Sequence, residues 1–275
     1  MRALIVESGY NRGALAACRA LARAGWTVGD GSPQRGGLAC SSRWVSHWDR
    51  VPSVHLDLDA FLEATNVAVI RRRYEVVFGA GDAETLGLSI GRDRIQALVP
   101  CPPHKTVIRA FDKYELYLAA QRVGLGTPKT IVATEDALAR IRRPIVVKAS
   151  LHWLPGRNGA PPRLEAAICP GRAEAICRAR EIRAVGVTPL LQEVVSGYKV
   201  SYGVVRDIGG RILGGVQQRG EPLFWPPTVG SRVRSRTVPV DKDLEERVTA
   251  LMNDLGWFGP LLIIGIGLYV IFRRR

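Results

Sequence analysis

Gln192-Glu-Val-Val-Ser-Gly-Tyr-Lys-Val-Ser-Tyr-Gly-Val-Val-Arg-Asp207, with Gly215-Val-Gln-Gln-Arg219 close behind it, is the stretch on which the fold turns. It is entered through Leu190-Leu-Gln-Glu-Val-Val195, an apolar and β-branched run of strand length. Ser196-Gly197 breaks that run. Residues 198–206 and 211–218 then read as the two arms of a hairpin around Asp207-Ile-Gly-Gly210. A buried strand that opens into a turn leaves backbone N–H and C=O groups uncommitted at the turn. Here a carboxylate, Glu193, stands beside them.

Upstream, strand and helix patterns alternate. Ala3-Leu-Ile-Val6 fits a buried strand, and Asn11 caps a helix whose apolar side is Leu15, Cys18, Leu21 and Ala22. Gly25 ends that helix and Trp26-Thr-Val28 opens the next strand. Residues 58–71 read as a helix, 74–78 as a strand and 82–91 as a helix. Alternation of this kind predicts a mainly parallel sheet with helices on both faces. Gly9-Tyr-Asn-Arg-Gly13 is a strand-to-helix turn with a phosphate-loop look, but its spacing is not GxGxxG.

Pro100, Pro102 and Pro103 mark a boundary. Beyond it, Asp112 and Glu115 form a capping-box pattern for a helix to Val123, closed by Gly124. Residues 130–132 and 145–148 read as strands, with a short helix between them capped by Thr134. Residues 151–164, rich in Gly, Pro and Arg, read as a mobile loop. Residues 173–184 read as helical. Residues 243–255 form an amphipathic helix with Leu244, Val248, Leu251, Met252 and Leu255 on one face.

The 275 residues carry a formal net charge of +14, almost all of it arginine. Only Lys105, Lys113, Lys129, Lys148, Lys199 and Lys242 are lysine. Such a bias gives general affinity for polyanions. The short arginine runs 71–73 and 273–275 and the lack of zinc-finger spacing argue against a specific nucleic-acid partner. The five cysteines form no CxxC pair. Cys18 and Cys177, inside helical patterns, are expected to be buried, and a reducing cytoplasm is the expected compartment.

Against that arginine background, lysine stands at two telling places. Lys113 opens a helix, where free backbone N–H groups also favour phosphate. Lys148 ends the buried strand Pro144-Ile-Val-Val-Lys148, and a buried ammonium needs an anion or a route to solvent. Each also has a plain structural reading: Lys113 as an exposed first-turn residue, Lys148 as a snorkelling side chain, Glu193 as the partner of a basic neighbour.

Taken in order, these segments resemble the ATP-grasp superfamily over residues 1–260, with closest likeness to carbamoyl-phosphate synthase large subunits and other carboxylate–amine ligases. The resemblance implies an α/β fold. A doubly wound, Rossmann-like pre-ATP-grasp domain over 1–103 would precede an incomplete two-lobed α+β ATP-grasp domain, with lobes at 104–185 and 186–260 and an apolar tail at 261–275. It implies ATP as ligand, a small-molecule carboxylate or amine as second substrate, and reaction through an acyl phosphate. Lys113 and Lys148 would contact phosphates. Glu193 would sit at the adenine hinge and Val195 would give backbone contacts. Gly156 and Gly159 would belong to the phosphate lid.

Two departures stand out. The position that resembles the family's ribose-binding glutamate is Val200, with Ser201 as a weak substitute. The family also binds magnesium through late carboxylates and a Glu-x-Asn segment, and none of these residue types follows Asp254. The sequence therefore predicts impaired or absent catalysis, since phosphoryl transfer leans on a coordinated metal. The apolar residues 261–272 are short for a membrane span, and Arg273–Arg275 is on the wrong side for one. A strand or a loose tail is favoured over an anchor.

Overall fold

A computed structural model describes residues 1–153, 165–195, 200–220, 224–225, 231–232 and 234–263. These residues form two compact units. The first holds Met1–Val107 and the segment beginning at Trp153. The second holds Ile108–His152 and the remainder of the chain.

The first unit follows the alternation in the sequence. Its elements are β1 (Arg2–Val6), α1 (Arg12–Arg23), β2 (Thr27–Ser32), β3 (His47–Arg50), α2 (Leu58–Arg72), β4 (Val76–Gly79) and α3 (Asp82–Ile90). The four strands are parallel in the order β3-β2-β1-β4, with Leu4 opposite both Gly29 and Val77. β1 lies inside this sheet and is covered on both sides, which is why Ala3-Leu-Ile-Val6 is apolar without alternation. Asn11 caps α1 as its position predicts, its Oδ1 accepting from Gly13 N at 2.7 Å and Ala14 N at 3.1 Å. β3 was not legible in the sequence. His47-Trp-Asp-Arg50 lacks an apolar run because only Asp49 among its four side chains is fully buried, and that carboxylate is satisfied by Tyr74 Oη at 2.9 Å and by Arg71.

Besides Asp49, three carboxylates are buried near the C-terminal ends of these strands. Glu7 follows β1, Asp30 lies in β2 and Glu84 is in the first turn of α3. Glu7 Oε2 accepts from Gly9 N at 2.7 Å and Asn11 N at 3.0 Å, so it braces the turn after β1. Asp30 Oδ2 accepts from Ser32 Oγ at 2.7 Å. The second oxygens, Glu7 Oε1 and Asp30 Oδ1, have no hydrogen-bond partner among the described residues. Burial pushes Asp30 up to about 6 and Glu84 up to about 7, and the charge of Glu7 adds to both. The same burial, reinforced by Asp30 and Glu7, pushes the Cys18 thiol up to about 12, so it is an inert core group.

The chain passes from the first unit to the second inside α4 (His104–Phe111). Then come α5 (Lys113–Arg122), β5 (Thr130–Val132), α6 (Glu135–Ala139), β6 (Ile145–Ala149), β7 (Ala167–Cys169), α7 (Arg172–Ala184) and β8 (Pro189–Glu193). β5, β8, β6 and β7 form an antiparallel sheet in that order. One face packs Val147, Ala149, Leu191 and Cys169 against Ala175, Ala179 and Ile182 of α7. Cys177 falls between those buried positions of α7 and is exposed, contrary to the sequence expectation. A helical pattern fixes that a residue is on a helix but not which side meets the sheet.

The rest is β9 (Val200–Arg206), β10 (Ile212–Gly220), β11 (Phe224–Trp225), β12 (Ser231–Arg232), β13 (Ser235–Val238), α8 (Lys242–Leu255) and β14 (Gly259–Ile263). β13, β10, β9 and β14 make a second antiparallel sheet, and β11 pairs with β12. The hairpin of β9 and β10 is as expected, with Asp207 N donating to Arg211 O at 3.0 Å. α8 buries the five apolar residues read from the sequence, is capped by Asp241 and ends at Gly256 with φ of 70°. At the start of the apolar tail, Leu261–Ile263 pairs with β9 as part of β14. Residues 264–275 lie outside the described residues. Among the described residues no helix is long and apolar enough to cross a membrane.

Asp254 near the end of α8 accepts from Arg109 Nη2 at 2.9 Å and Arg122 Nη2 at 2.7 Å, tying α8 to α4 and α5. The Arg122 bond, helped by both guanidinium charges, holds this carboxyl below the ordinary range. Most exposed ion pairs contribute little. This one is a two-arginine brace on a half-buried carboxylate. Asp254→Ala is therefore expected to lower the stability of the second unit by about 1–2 kcal/mol. Urea unfolding of the variant checks this, and an unchanged midpoint would rule the brace out.

Candidate functional site

The face of the β5-β8-β6-β7 sheet opposite α7 carries polar side chains. Strand alternation puts Lys148 on it, because Val147 and Ala149 point into the α7 core. Gln192 shares that face, since Leu191 is on the other. The registers place Thr130 and Val146 directly opposite Gln192, one on each side, and Lys148 one step along β6 on the same face.

Lys148 is only 6% exposed. Its Nζ donates to Gln192 Oε1 at 3.2 Å, a neutral acceptor. Burial alone pushes this ammonium down to about 8. Lys113, the first residue of α5, is also buried, and its Nζ donates to Ala149 O at 3.0 Å and Ser150 O at 3.3 Å. Its backbone N–H bonds to Ser150 O as well, at 2.9 Å. The end of β6 is thus clamped to the start of α5. Asp112 caps α5 by accepting from Tyr114 N at 2.8 Å and Glu115 N at 3.0 Å. Lys148 is thus a buried ammonium near the end of β6, and Lys113 is a second one where β6 ends against the positive end of a capped helix. That combination favours an anion.

The other sequence-derived candidates are placed differently. Glu193 lies three residues beyond the β8 partner of Lys148, opposite Ile145, and alternation puts it on the face of Leu191. Its Oε1 accepts from Lys129 N at 2.9 Å and its own N–H donates to Lys129 O at 3.0 Å. The carboxylate thus closes the junction between β8 and β5 and does not join the two ammonium groups. Val195 is half-buried just past β8, where its backbone is outside any strand. Ser201 is buried in β9 opposite Gln218. Gly156 and Gly159 lie outside the described residues. The side chains the sequence reading passed over are Gln192 and Thr130. Their part follows from strand register, which pairs residues far apart in the chain.

No family model matches the chain, and no curated protein matches it by sequence. Solved structures do match. N5-carboxyaminoimidazole synthetase from Staphylococcus aureus, complexed with ADP, aligns with a TM-score of 0.68 at 12% identity, over 95% of this chain and 65% of that one. The chain has the ATP-grasp fold. Two further ATP-grasp structures bear this out. Biotin carboxylase from Campylobacter jejuni, in a β-γ-ATP complex, gives a TM-score of 0.68 at 14% identity, over 97% of this chain and 63% of that one. L-amino acid ligase from Bacillus licheniformis gives 0.65 at 15% identity, over 93% and 60%. The chain thus spans between 60% and 65% of the length of these three proteins. At such identities the likeness is one of fold.

Proposed function

We propose that the second unit binds ATP, with the ammonium groups of Lys148 and Lys113 at its phosphates. The backbone around Glu193 and Val195 would meet adenine, and Ser201 would take the ribose side. The observation that carries this reading is Lys148: a deeply buried cation whose acceptor is an uncharged amide. Such a group costs stability unless an anion arrives. The ADP and ATP complexes of the matching structures support the same ligand.

The chain is proposed to be related to ATP-dependent carboxylate–amine ligases, with its own catalysis impaired or absent and nucleotide binding retained; the reaction of that class goes through an acyl phosphate. A carboxylate oxygen attacks the γ-phosphorus and ADP leaves. An amine nitrogen then attacks the acyl carbon, the acyl–oxygen bond breaks and phosphate departs. Positioning and charge stabilisation are what a protein supplies to such a transfer. Among the described residues no three His, Cys, Asp or Glu side chains come together to hold a metal, and no step is assigned to magnesium.

Calorimetric titration of ATP with and without magnesium tests the reading. Binding is expected to survive high salt and to be lost in Lys148→Ala. Heat that disappears with salt and ignores Lys148 would mark a general polyanion surface instead, because such binding is strongly salt-dependent.

A further inference from the structure

Gln192 is the centre of a directed chain of hydrogen bonds. Thr130 Oγ1 donates to Pro128 O at 3.0 Å, Gln192 Nε2 donates to Thr130 Oγ1 at 2.8 Å, and Lys148 Nζ donates to Gln192 Oε1 at 3.2 Å. All three side chains are buried. The direction is forced by the inventory of donors. A backbone carbonyl only accepts, so the single threonine hydrogen goes to Pro128. The threonine oxygen is left as an acceptor and must face the NH₂ side of the amide. The amide oxygen then faces the ammonium. Flipping Gln192 would set NH₂ against NH₃⁺ and leave the Thr130 oxygen and the amide oxygen facing each other without a hydrogen.

We infer that Gln192 is a positioning residue for Lys148: Thr130 and Pro128 lock its amide so that the ammonium is held by an uncharged acceptor and its charge stays uncompensated for an anionic ligand. The inference rests on the nucleotide reading above. A carboxylate at this place would hold the lysine equally well in space but would neutralise it, and an incoming phosphate would then meet a charge already paired. An apolar side chain would leave the charge but let it move. Only the amide does both.

Among the described residues, the charged groups on neighbouring elements are Lys113, whose ammonium is on Ala149 O and Ser150 O, and Glu193, whose carboxylate is on Lys129 N. Burial is the only cause that moves Lys148, and it brings the group down to about 8. Its charge is therefore lost through mildly alkaline pH, and ligand affinity should fall with it. Replacing the amide by a carboxylate raises the lysine's titration point by at least about one unit.

The test uses Gln192→Glu and Gln192→Met in the full chain. Carbon-13 NMR of labelled lysine, with the Lys148 signal assigned through Lys148→Arg, follows the titration without ligand. Calorimetry with ATP from about pH 6.5 to 9.5 follows affinity. In the unaltered protein, affinity should drop about tenfold between pH 7 and 9.5, the scale of losing one phosphate-facing charge. In Gln192→Glu it should be about tenfold weaker at pH 7 and flat to pH 9. Gln192→Met should keep the low titration point but bind ATP more weakly. The same Lys148 titration in the unaltered protein and Gln192→Glu would overturn the inference. So would a shifted titration with unchanged ATP affinity in Gln192→Glu. ATP failing to bind the unaltered protein at any pH would instead overturn the nucleotide reading, and the inference with it.

Discussion

Lys148→Met is expected to make the ligand-free protein more stable while removing tight nucleotide binding. The native state lowers this lysine from 10.5 to about 8 by burial. It therefore binds fewer protons than the unfolded chain between those values, and stability rises with pH through that window. Below about pH 8 the cost of keeping the buried ammonium charged is felt in full, on the order of 3 kcal/mol at 1.36 kcal/mol per pH unit. Methionine removes that cost at similar length, but it strands the amide oxygen of Gln192, which offsets about 1 kcal/mol or more. A net gain of about 1–2 kcal/mol at pH 7 follows, shrinking toward pH 10. ATP affinity should fall by about tenfold to a hundredfold from the same substitution. Urea unfolding at pH 7 and pH 9.5, with calorimetry beside it, measures both effects. A variant less stable than the unaltered protein at pH 7 would show that Lys148 is a structural residue with no stored cost for a ligand to relieve.

The first unit should behave in the opposite sense. Asp30 moves from 3.8 to about 6 and Glu84 from 4.5 to about 7. Both are raised, so the folded unit holds more protons than the unfolded chain, and stability is lost as pH climbs from about 4 through about 7. Each shift corresponds to about 3 kcal/mol taken alone. Glu7 acts on both, so they titrate as a coupled set and their contributions do not add. Asp30→Asn keeps an acceptor for Ser32 and replaces an oxygen that has no partner. It should stabilise the first unit by about 2 kcal/mol at pH 8 and by almost nothing at pH 4. Unfolding followed by the fluorescence of Trp26, Trp44 and Trp48 reads this unit. An equal effect of the substitution at both pH values would refute the protonation account.

The elements legible in advance were those written in local chemistry. Asn11, Asp112 and Thr134 are side chains that bond the first free N–H groups of the helices they precede, and those helices begin just after them. β1 was legible because burial on two faces leaves a continuous apolar run, and β6 because Ile145-Val-Val147 is β-branched and apolar. β3, α4 and β7 were not, because they are short and draw their stability from neighbours distant in sequence. Cys177 shows the same limit in one residue: its helix was expected and its outward side was not.

At the site, sequence alone marked Lys113 and Lys148, because lysine is rare in a chain whose positive charge is arginine. It fixed their elements, a capped helix start and the end of a buried strand. Tertiary structure decided what each faces. The antiparallel register of β5, β8 and β6 put Gln192, and not Glu193, beside Lys148, and ran the hydrogen-bond chain on to Thr130 and Pro128. A period of two tells which residues of one strand share a face. Only the pairing between strands tells which residue of another strand stands opposite, and a slip of one residue would have exchanged the amide for the carboxylate.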